Sequence, residues 1–274
     1  MSKVLVLGDF ISDVYRICKA DRICPEAPVP VLTQIKPDYS TPGGMGLVVE
    51  QLKALIGEDN VFSIPGSISV KTRYFVGNHL VVRVDEDESD PCPKEYYDNI
   101  VKEISLTSPD ILIISDYGKG GMDKSLTSKI MWYADKKHIP VFVDAKKNWV
   151  QYGGAFALFP NEFEWEGIGT CHAVPPHIIQ KMGAEGCLVD GHALPLDKSY
   201  QVFDVTGAGD VFLAAFSAAF LNLPKIRHKN PDQDFTHEEL VHCAKYANKV
   251  AARSVEFVGT HIVTDVPMEF LGIM

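Results

Sequence analysis

The feature that most constrains the fold of this chain is a series of short, β-branched apolar runs that alternate with helical patterns. The apolar runs lie at 3–7, 111–114, 140–143 and 187–189, and the helical patterns lie at 44–56, 94–104 and 123–137. Runs that are apolar at every position predict strands that are buried on both faces, as parallel strands are. The alternation therefore predicts an α/β fold in which helices cover both faces of a mostly parallel sheet.

Two segments depart from this plan and predict a second, smaller sheet. Residues 29–35 and 70–85 read as antiparallel strands, and Gly77-Asn78 is suited to the turn of a hairpin. We expect these strands to project from the core as a lid. A projecting sheet leaves an edge or an apolar face that needs a cover, so we expect a homodimer formed through the lid strands.

The charge balance and the lack of long apolar segments argue against several classes of protein. The 274 residues include 26 Lys and Arg against 36 Asp and Glu, a net charge of −10, whereas nucleic-acid binding needs a surplus of cations. No apolar run is long enough for a signal sequence or for a membrane span of about 18 residues. Six scattered cysteines without a C-x-x-C pair predict reduced thiols. We therefore expect a cytoplasmic protein with no nucleic-acid or membrane partner.

The strongest chemical signal is the heptapeptide from Asp204 to Asp210, Asp-Val-Thr-Gly-Ala-Gly-Asp. A predicted short strand at 200–203 leads into it, and a predicted apolar helix at 208–221 follows. The amides of Gly207, Ala208 and Gly209, together with the start of the helix, are suited to form an anion hole. A carboxylate at a helix start is favoured in its ionised form, so Asp210 could accept the proton of a hydroxyl that attacks a phosphate held in the hole.

Other interpretations of these residues are open at this point. Asp210 could be a helix cap and the glycines a simple turn. A dinucleotide-binding fingerprint fits poorly, because Phe212 stands where its third glycine would be and no acidic residue ends a second strand about 20 positions later. A Walker phosphate loop, G-x-x-x-x-G-K-[ST], is absent from the sequence.

The heptapeptide resembles the C-terminal signature of the ribokinase-like (PfkB) sugar kinases, and the resemblance extends over nearly the whole chain. Further motifs of that family are Gly8-Asp9 with Asp13, Pro42-Gly43-Gly44, Asn161-x-x-Glu164 and Gly183-x-x-Gly186. The resemblance implies a three-layer ribokinase-like fold with a mostly parallel central sheet and a small β-sheet lid. It also implies a single kinase domain over 1–274, with lid strands from about 14–39 and 68–87.

Within that family the chain is most similar to the heptose 7-phosphate kinases. The stretches that carry this similarity are 22–31, 71–73, Asn78 with 83–85, 115–120, 144–146 and 152–155. The similarity implies transfer of the ATP γ-phosphate, with Mg²⁺, to the anomeric hydroxyl of a heptose 7-phosphate. We expect no second catalytic domain in a chain of this length.

The resemblance also implies a set of site residues, with Asp210 as the catalytic base. Sugar contacts fall on Asp9, Asp13, Gly43, Gly44, Lys71, Arg73, Asn78 and Arg83. ATP contacts fall on Lys146, Asn161, Glu164, Gly183, Gly186, Asn248 and Gly259, with Asn161 and Glu164 holding Mg²⁺ through water. Asp204 and Thr206 are candidates for a monovalent cation such as K⁺. The basic lid residues could hold a sugar phosphate by charge-assisted hydrogen bonds, or could be solvated edge charges.

The sequence departs from the family pattern at one motif position and in the length of two segments. Leu47 occupies the position of an asparagine in the family's G-G-x-x-N motif, and only 26 residues lie between Gly44 and Lys71 and 21 between Asn161 and Gly183. Relatives usually have longer segments in both places. Two further hypotheses follow: a kinase for another sugar phosphate or a nucleoside, and a catalytically weak homologue that only binds ligands.

Overall fold

The structure is a computed structural model that describes residues 2–86, 94–168, 177–227, 235–257 and 259–268. The strands are β1 (Val4–Ile23), β2 (Pro30–Gln34), β3 (Tyr39–Gly44), β4 (Val61–Val76), β5 (His79–Glu86), β6 (Ile111–Asp116), β7 (Val141–Ala145), β8 (Ala157–Leu158), β9 (His177–Lys181), β10 (Cys187–Val189) and β11 (His192–Leu194). The helices are α1 (Met45–Ile56), α2 (Lys94–Thr107), α3 (Lys124–Lys136), α4 (Glu162–Ile168), α5 (Ala208–Leu221), α6 (Pro224–Arg227) and α7 (His237–Ser254).

The strands of the described residues form one sheet of 11 strands in the order β11-β10-β9-β8-β7-β6-β1-β4-β5, with β2 and β3 paired to β1. Pairing is parallel from β9 through β8, β7, β6 and β1 to β4. This arrangement confirms the predicted α/β fold with a mostly parallel central sheet.

Two strand predictions are wrong. Strand β10 is antiparallel to both β9 and β11, because the tight turn at Gly183–Glu185 returns the chain directly beside β9, and a short connection can join only antiparallel strands. Residues 200–203 form no strand. The amides of Phe203 and Asp204 donate instead to the carbonyl of Val255, at 2.8 and 3.2 Å.

The helices pack on both faces of the sheet and bury two hydrophobic clusters. Helices α1, α5 and α7 cover one face, and α2 and α3 cover the other. Alternate residues of β1 divide between them, since Val4 and Val6 belong to the first cluster and Leu5 and Leu7 to the second. Helix α5 is buried from Asp210 to Leu221, whereas Ala208 and Gly209 at its N-terminus are partly exposed.

The lid is built from strands that leave the core. Strand β1 runs for 20 residues, and its pairing with β4 shifts register between Gly8 and Asp9 before both strands continue outward. Strand β5 pairs with β4 as an antiparallel hairpin, and Gly77 in its turn has a φ of 59°, as predicted for Gly77-Asn78. Strands β2 and β3 pair on β1. The hairpin expected from the sequence is thus present in the lid, and Thr236 and Glu239 form a capping box at the start of α7.

Two further expectations concern membrane segments and cysteines. Within the described ranges, no helix has the length and apolar character needed to cross a membrane. Cys18, Cys24, Cys187 and Cys243 are free thiols, and Cys24 alone among these four is not buried. Cys92 and Cys171 lie outside the described residues.

Candidate active site

Charged side chains meet where the central strands end and α5 begins. Tyr117 directly follows β6, Lys146 directly follows β7, and Lys181 is the last residue of β9. The hydroxyl of Tyr117 contacts Asp210 at the start of α5, and the Lys146 ammonium lies 4.9 Å from the centre of the Tyr117 ring. This is the carboxyl edge of the parallel strands, where open α/β sheets bind their ligands.

Asp210 is a buried carboxyl group whose two oxygens both accept from the Tyr117 hydroxyl. Its exposed fraction is 3%, and the two oxygen–oxygen distances are 2.8 and 2.9 Å. Burial raises the pKa of Asp210 to about 7, although the opposing charge of Lys146 lowers it. The helix start favours the ionised form of Asp210, as expected from the sequence, but the loss of solvent outweighs it and raises the pKa.

The predicted anion hole forms a left-handed turn into α5. Gly207 is the N-cap residue, with a φ of 76°, a conformation that favours glycine. Amides in the first turn of a helix have no acceptor within the helix. The Ala208 amide, however, donates to the Val205 carbonyl at 3.2 Å. One of the three amides assigned to the anion hole is thus already occupied by the protein itself.

Asp144 joins two lysines beside this turn. Its carboxylate is 2% exposed and pairs with Lys181 and, at 3.4 Å, with Lys146. Although burial acts in the opposite sense, these lysines hold the pKa of Asp144 below its usual value. A Cβ built on Gly209 would lie 3.3 Å from the Lys181 ammonium. The cluster therefore places two cations next to the helix end that would receive a phosphate.

The Asn161-x-x-Glu164 motif forms a reciprocal cap at the start of α4. The Glu164 amide donates to the Asn161 side-chain oxygen, and the Asn161 amide donates to Oε2 of Glu164, both at 2.8 Å. The other oxygen of Glu164 lies 2.9 Å from the Lys146 ammonium. Glu164 therefore joins the lysine cluster and caps its helix with the same carboxylate.

The structure corrects the role expected for Asp9. This residue has 0% exposure, and its carboxylate accepts from the Ser67 hydroxyl and from the amides of Tyr117, Lys119 and Gly121, at 2.6 to 3.1 Å. Four donors fill the acceptor positions of the two oxygens. Asp9 thus anchors the loop after β6 from beneath and has no surface to offer to a sugar.

Asp13 and Arg73 form a buried ion pair on the inner face of the lid. Their closest atoms are 2.5 Å apart, and their side chains are 6% and 16% exposed. A Cβ on Gly43 would lie 2.6 Å from an Asp13 oxygen, so the glycine leaves room for this carboxylate. Gly44, with a φ of 58°, lies equally close to β1, where a Cβ would approach the Asp9 carbonyl to 2.7 Å.

The remaining lid residues are more accessible. Arg83 lies directly across from Arg73 and pairs with Asp85 at 2.8 Å, with half of its side chain exposed. Lys71 lies 5.9 Å from the centre of the Tyr117 ring and, within the described part of the chain, pairs with no carboxylate. Asn78 is exposed in the hairpin turn. Of the basic lid residues, Lys71 is the one that reaches the Asp210 region through Tyr117.

We call Gly183, Gly186, Asn248 and Gly259, which are all expected to contact ATP, the nucleotide wall. Three of them hold together the segments around α7. The Asn248 side-chain amide donates to the Leu194 carbonyl at 3.1 Å, and Gly186 passes so close to that carbonyl that a Cβ would lie 2.3 Å from it. The Gly259 amide donates to Asp204 at 2.9 Å. These contacts tie β11 to α7, and tie the loop after α7 to the segment that leads into α5.

Three other candidate residues lie in turns beside these segments. Gly183 opens the turn between β9 and β10, with free space where a Cβ would be. The other Asp204 oxygen accepts from the amide and the hydroxyl of Thr206, at 2.9 and 2.7 Å. Both oxygens of the Asp204 carboxylate therefore have partners in the protein.

Sequence reasoning missed two residues of this site, Tyr117 and Lys181. Tyr117 lies within a stretch that carried the family resemblance. It is 93 positions from Asp210 in the sequence, so no local pattern could show that the two side chains are in contact. Lys181 ends a short strand with only two apolar residues, and its partner Asp144 is 37 positions away. Only the order of strands in the sheet brings these groups together.

The chain is similar to known proteins over nearly its whole length. The bifunctional protein HldE of Trichlorobacter lovleyi is 28% identical and covers 98% of this chain, which covers 62% of that protein. The chain spans 54–62% of the length of the curated relatives that it matches. Phosphofructokinase-2 from Escherichia coli, solved in complex with potassium, has a TM-score of 0.68 at 15% identity, with 96% and 95% of the two chains covered.

A ribokinase from Giardia lamblia has a TM-score of 0.65 at 12% identity, with 94% of each chain covered. At these identities the solved structures establish a ribokinase-like fold. A family model for the pfkB family carbohydrate kinases matches residues 79–266, which is more than half of the sequence. The chain therefore belongs to the pfkB family of carbohydrate kinases.

Proposed function

We propose that this chain is a Mg²⁺- and ATP-dependent kinase that phosphorylates the anomeric hydroxyl of a heptose 7-phosphate. The observation that carries the proposal is Asp210, a buried carboxyl group at the first turn of α5, with Lys146 and Lys181 close by. A proton acceptor beside an anion-binding helix start is the arrangement that phosphoryl transfer to an alcohol requires. The similarity of the sequence to heptose 7-phosphate kinases supports a heptose phosphate as the acceptor of the phosphoryl group.

In the proposed reaction the sugar hydroxyl attacks the γ-phosphorus of ATP. The new oxygen–phosphorus bond forms as the bond to the β,γ-bridging oxygen breaks, the hydroxyl proton passes to Asp210, and ADP leaves. Lys146, Lys181 and the amides of Gly207 and Gly209 offset the negative charge on the transferred group. The pKa of about 7 suits Asp210 to this step, because a general base works best when its pKa lies near the operating pH.

The ATP site we propose extends from this cluster along the residues of the nucleotide wall: Gly183, Gly186, Asn248 and Gly259. Glu164 and Asn161 are assigned to a water-mediated Mg²⁺ site, since each Glu164 oxygen has one protein partner and keeps a second acceptor position for a metal-bound water. When bound, the ion would neutralise phosphate charge. A K⁺ site at Asp204 and Thr206 would use backbone carbonyls, since the Asp204 carboxylate already has partners.

The sugar phosphate is assigned to the inner face of the lid. Lys71, Arg73 and Arg83 supply cations there, and Asp13 fixes Arg73. Because Arg73 and Arg83 each pair with a carboxylate of the lid, Lys71 is the cation most available to an incoming phosphate. We propose that the described residues form one kinase domain with this lid.

A coupled assay of ADP release tests the proposal. D-glycero-D-manno-heptose 7-phosphate is compared with hexose phosphates, free sugars and nucleosides, with and without Mg²⁺. Turnover that is specific for the heptose phosphate and nearly abolished in Asp210→Asn supports the proposal. Turnover of another sugar phosphate or a nucleoside assigns a different acceptor to the same site. Binding without ADP release from any acceptor favours the ligand-binding homologue.

We further propose that a second copy of this chain covers the lid. Strand β5 ends the sheet order and is exposed at all eight positions. Its apolar side chains Leu80, Val81, Val82 and Val84 are 40–52% exposed. An exposed apolar edge strand favours association with another strand or sheet, and a symmetric partner would cover the same edge of both copies.

A further inference from the structure

Tyr117 touches the candidate base, although the reaction proposed above assigns it no step. Its hydroxyl donates to both oxygens of Asp210, at 2.8 and 2.9 Å. Its ring is half-buried and lies between two lysines, Lys146 at 4.9 Å and Lys71 at 5.9 Å from the ring centre. One lysine belongs to the proposed phosphate cluster and the other to the lid.

Hydrogen bonds to two carboxylates hold the backbone around Tyr117 in place. Its amide donates to the buried carboxylate of Asp9 at 2.8 Å, and the next amide, that of Gly118, donates to Asp116 at 2.7 Å. Asp9 also accepts from the amide of Lys119. Because these carboxylates fix the loop, the fold determines where the Tyr117 hydroxyl lies.

We propose that Tyr117 is a positioning residue that fixes the plane of the Asp210 carboxylate toward the acceptor hydroxyl. Each carboxylate oxygen has two acceptor positions. A hydroxyl that donates to both oxygens at once occupies one position on each and leaves one on each for the sugar. The inference deepens the proposed function and rests on Asp210 as the base.

The groups around Asp210 determine how its protonation responds to this contact. Lys146 and Lys181 act to lower the pKa of Asp210, and Asp144 acts to raise it. Glu164, from α4, acts through its pair with Lys146. Among these neighbours, the Tyr117 hydroxyl is the donor that contacts both Asp210 oxygens, and its loss removes a hydrogen bond that favours the ionised form.

Tyr117 itself remains a donor over the working pH range. Burial and the nearby Asp210 charge hold the pKa of Tyr117 well above its usual value. The phenol therefore stays protonated and does not compete with Asp210 as a proton acceptor.

The test is Tyr117→Phe, assayed for kcat and KM from pH 5.5 to 9. We expect kcat at pH 7 to fall about tenfold and the acidic limb of the pH profile to rise by about one pH unit, with both KM values within about twofold of the wild type. Tyr117→Leu, which also removes the ring, should in addition raise KM for the sugar phosphate. An acidic limb within about 0.2 pH unit of the wild type, with kcat within twofold, overturns the inference.

Two matched variants separate positioning from general loss of a tyrosine hydroxyl. Tyr96→Phe removes another partly buried tyrosine hydroxyl, one that donates to the Ile64 carbonyl at 2.7 Å, and should lower stability without moving the acidic limb. Tyr133→Phe removes a hydroxyl that contacts Ser105 between α2 and α3 and should match the wild type. A shift of the limb in Tyr96→Phe equal to that in Tyr117→Phe would also overturn the inference.

A second measurement keeps this inference distinct from the proposed function. If the wild type phosphorylates no acceptor, the proposed function fails, and the Asp210 titration is followed by NMR of carboxyl-¹³C aspartate, with Asp210→Asn identifying its signal. Tyr117→Phe should raise the pKa of Asp210 by about one unit. An unchanged Asp210 titration overturns the inference, whatever the enzyme's substrate.

Discussion

Leu47 closes the space beside Gly207, since a Cβ built on that glycine would lie 2.3 Å from Leu47 Cδ2. Leu47 is fully buried and stands where the family has an asparagine. Its side chain therefore supports the turn into α5 from the core side. The departure from the family motif thus affects the shape of the anion hole.

This contact predicts that Gly207→Ala destabilises the protein. The new methyl group would meet Leu47, and a non-glycine residue would have to adopt a φ of 76°. Strain and overpacking together should lower the free energy of unfolding by about 2–4 kcal/mol, measured by urea titration. Gly191→Ala is the matched control, because its φ is 83° but nothing lies within 4 Å of its Cβ position. An equal loss of free energy of unfolding in both variants would mean that Leu47 does not clash with the new methyl group.

The raised pKa of Asp210 predicts opposite pH trends for activity and stability. Activity should rise through about pH 7 as the carboxyl group ionises and becomes a proton acceptor. The unfolded chain ionises this group near pH 4, so the folded state holds the extra proton between about pH 4 and 7. The contribution of Asp210 to the free energy of unfolding should therefore fall as pH rises across that window.

Asp210→Asn provides the measurement. The difference in free energy of unfolding between wild type and variant should change with pH between about 4 and 7 and level off above that range. The variant should also bind ATP while losing at least about 100-fold in kcat. A stability difference that does not vary with pH would contradict the raised pKa of Asp210.

Lys181 is predicted to act on ATP through the cluster that Asp144 assembles. Replacing it by methionine removes the cation beside Gly209 and leaves Asp144 with Lys146 alone. We expect KM for ATP to rise about tenfold, since an ionic contact to phosphate contributes about 1.4 kcal/mol or more. Lys181→Arg should retain most of the affinity. Lys129→Met, on the exposed face of α3, is the control, and a KM no higher than in that control would exclude Lys181 from the site.

Most of the fold could be predicted because periodicity is a local property. The runs at 111–114 and 140–143, together with the helical patterns, are recovered in β6, β7 and the helices around them. The length of β1 was not predicted, since residues beyond Gly8 leave the core and follow β4 into the lid. The direction of β10 was missed because an apolar run has the same sequence in a parallel or an antiparallel pair.

From residue spacing alone, the candidate site was predictable only where one short motif contains its parts. Gly207, Gly209 and Asp210 share a single turn, so their spacing was enough to suggest an anion-binding helix start. Tyr117 and Lys181 come from other strands. The partners of Asp9 are mainly backbone amides, which any sequence provides, so its structural role could be seen only in three dimensions.

Glu164→Gln distinguishes helix capping from charge in the Asn161-x-x-Glu164 motif. Glutamine still offers an oxygen to the Asn161 amide, as glutamate does, but it carries no charge toward Lys146 or a cation. We expect thermal stability to fall only modestly, through the lost charge contact with Lys146, and half-maximal activity to need at least several-fold more Mg²⁺. Glu164→Ala should lose both properties. A wild-type Mg²⁺ dependence in Glu164→Gln would restrict the motif to capping α4.

The exposed edge of the lid predicts that charges on β5 separate the two copies. Val82 and Val84 are 43% and 40% exposed and alternate along the strand, so they lie on one face. The double variant Val82→Glu and Val84→Glu places like charges at an interface formed by two copies, and should shift the protein from dimer to monomer in sedimentation velocity. Leu106→Glu, at the exposed end of α2, adds a comparable charge outside the lid and should leave the dimer intact. A wild type that sediments as a monomer at all concentrations would contradict the proposed dimer, because the lid edge would then be stable without a cover.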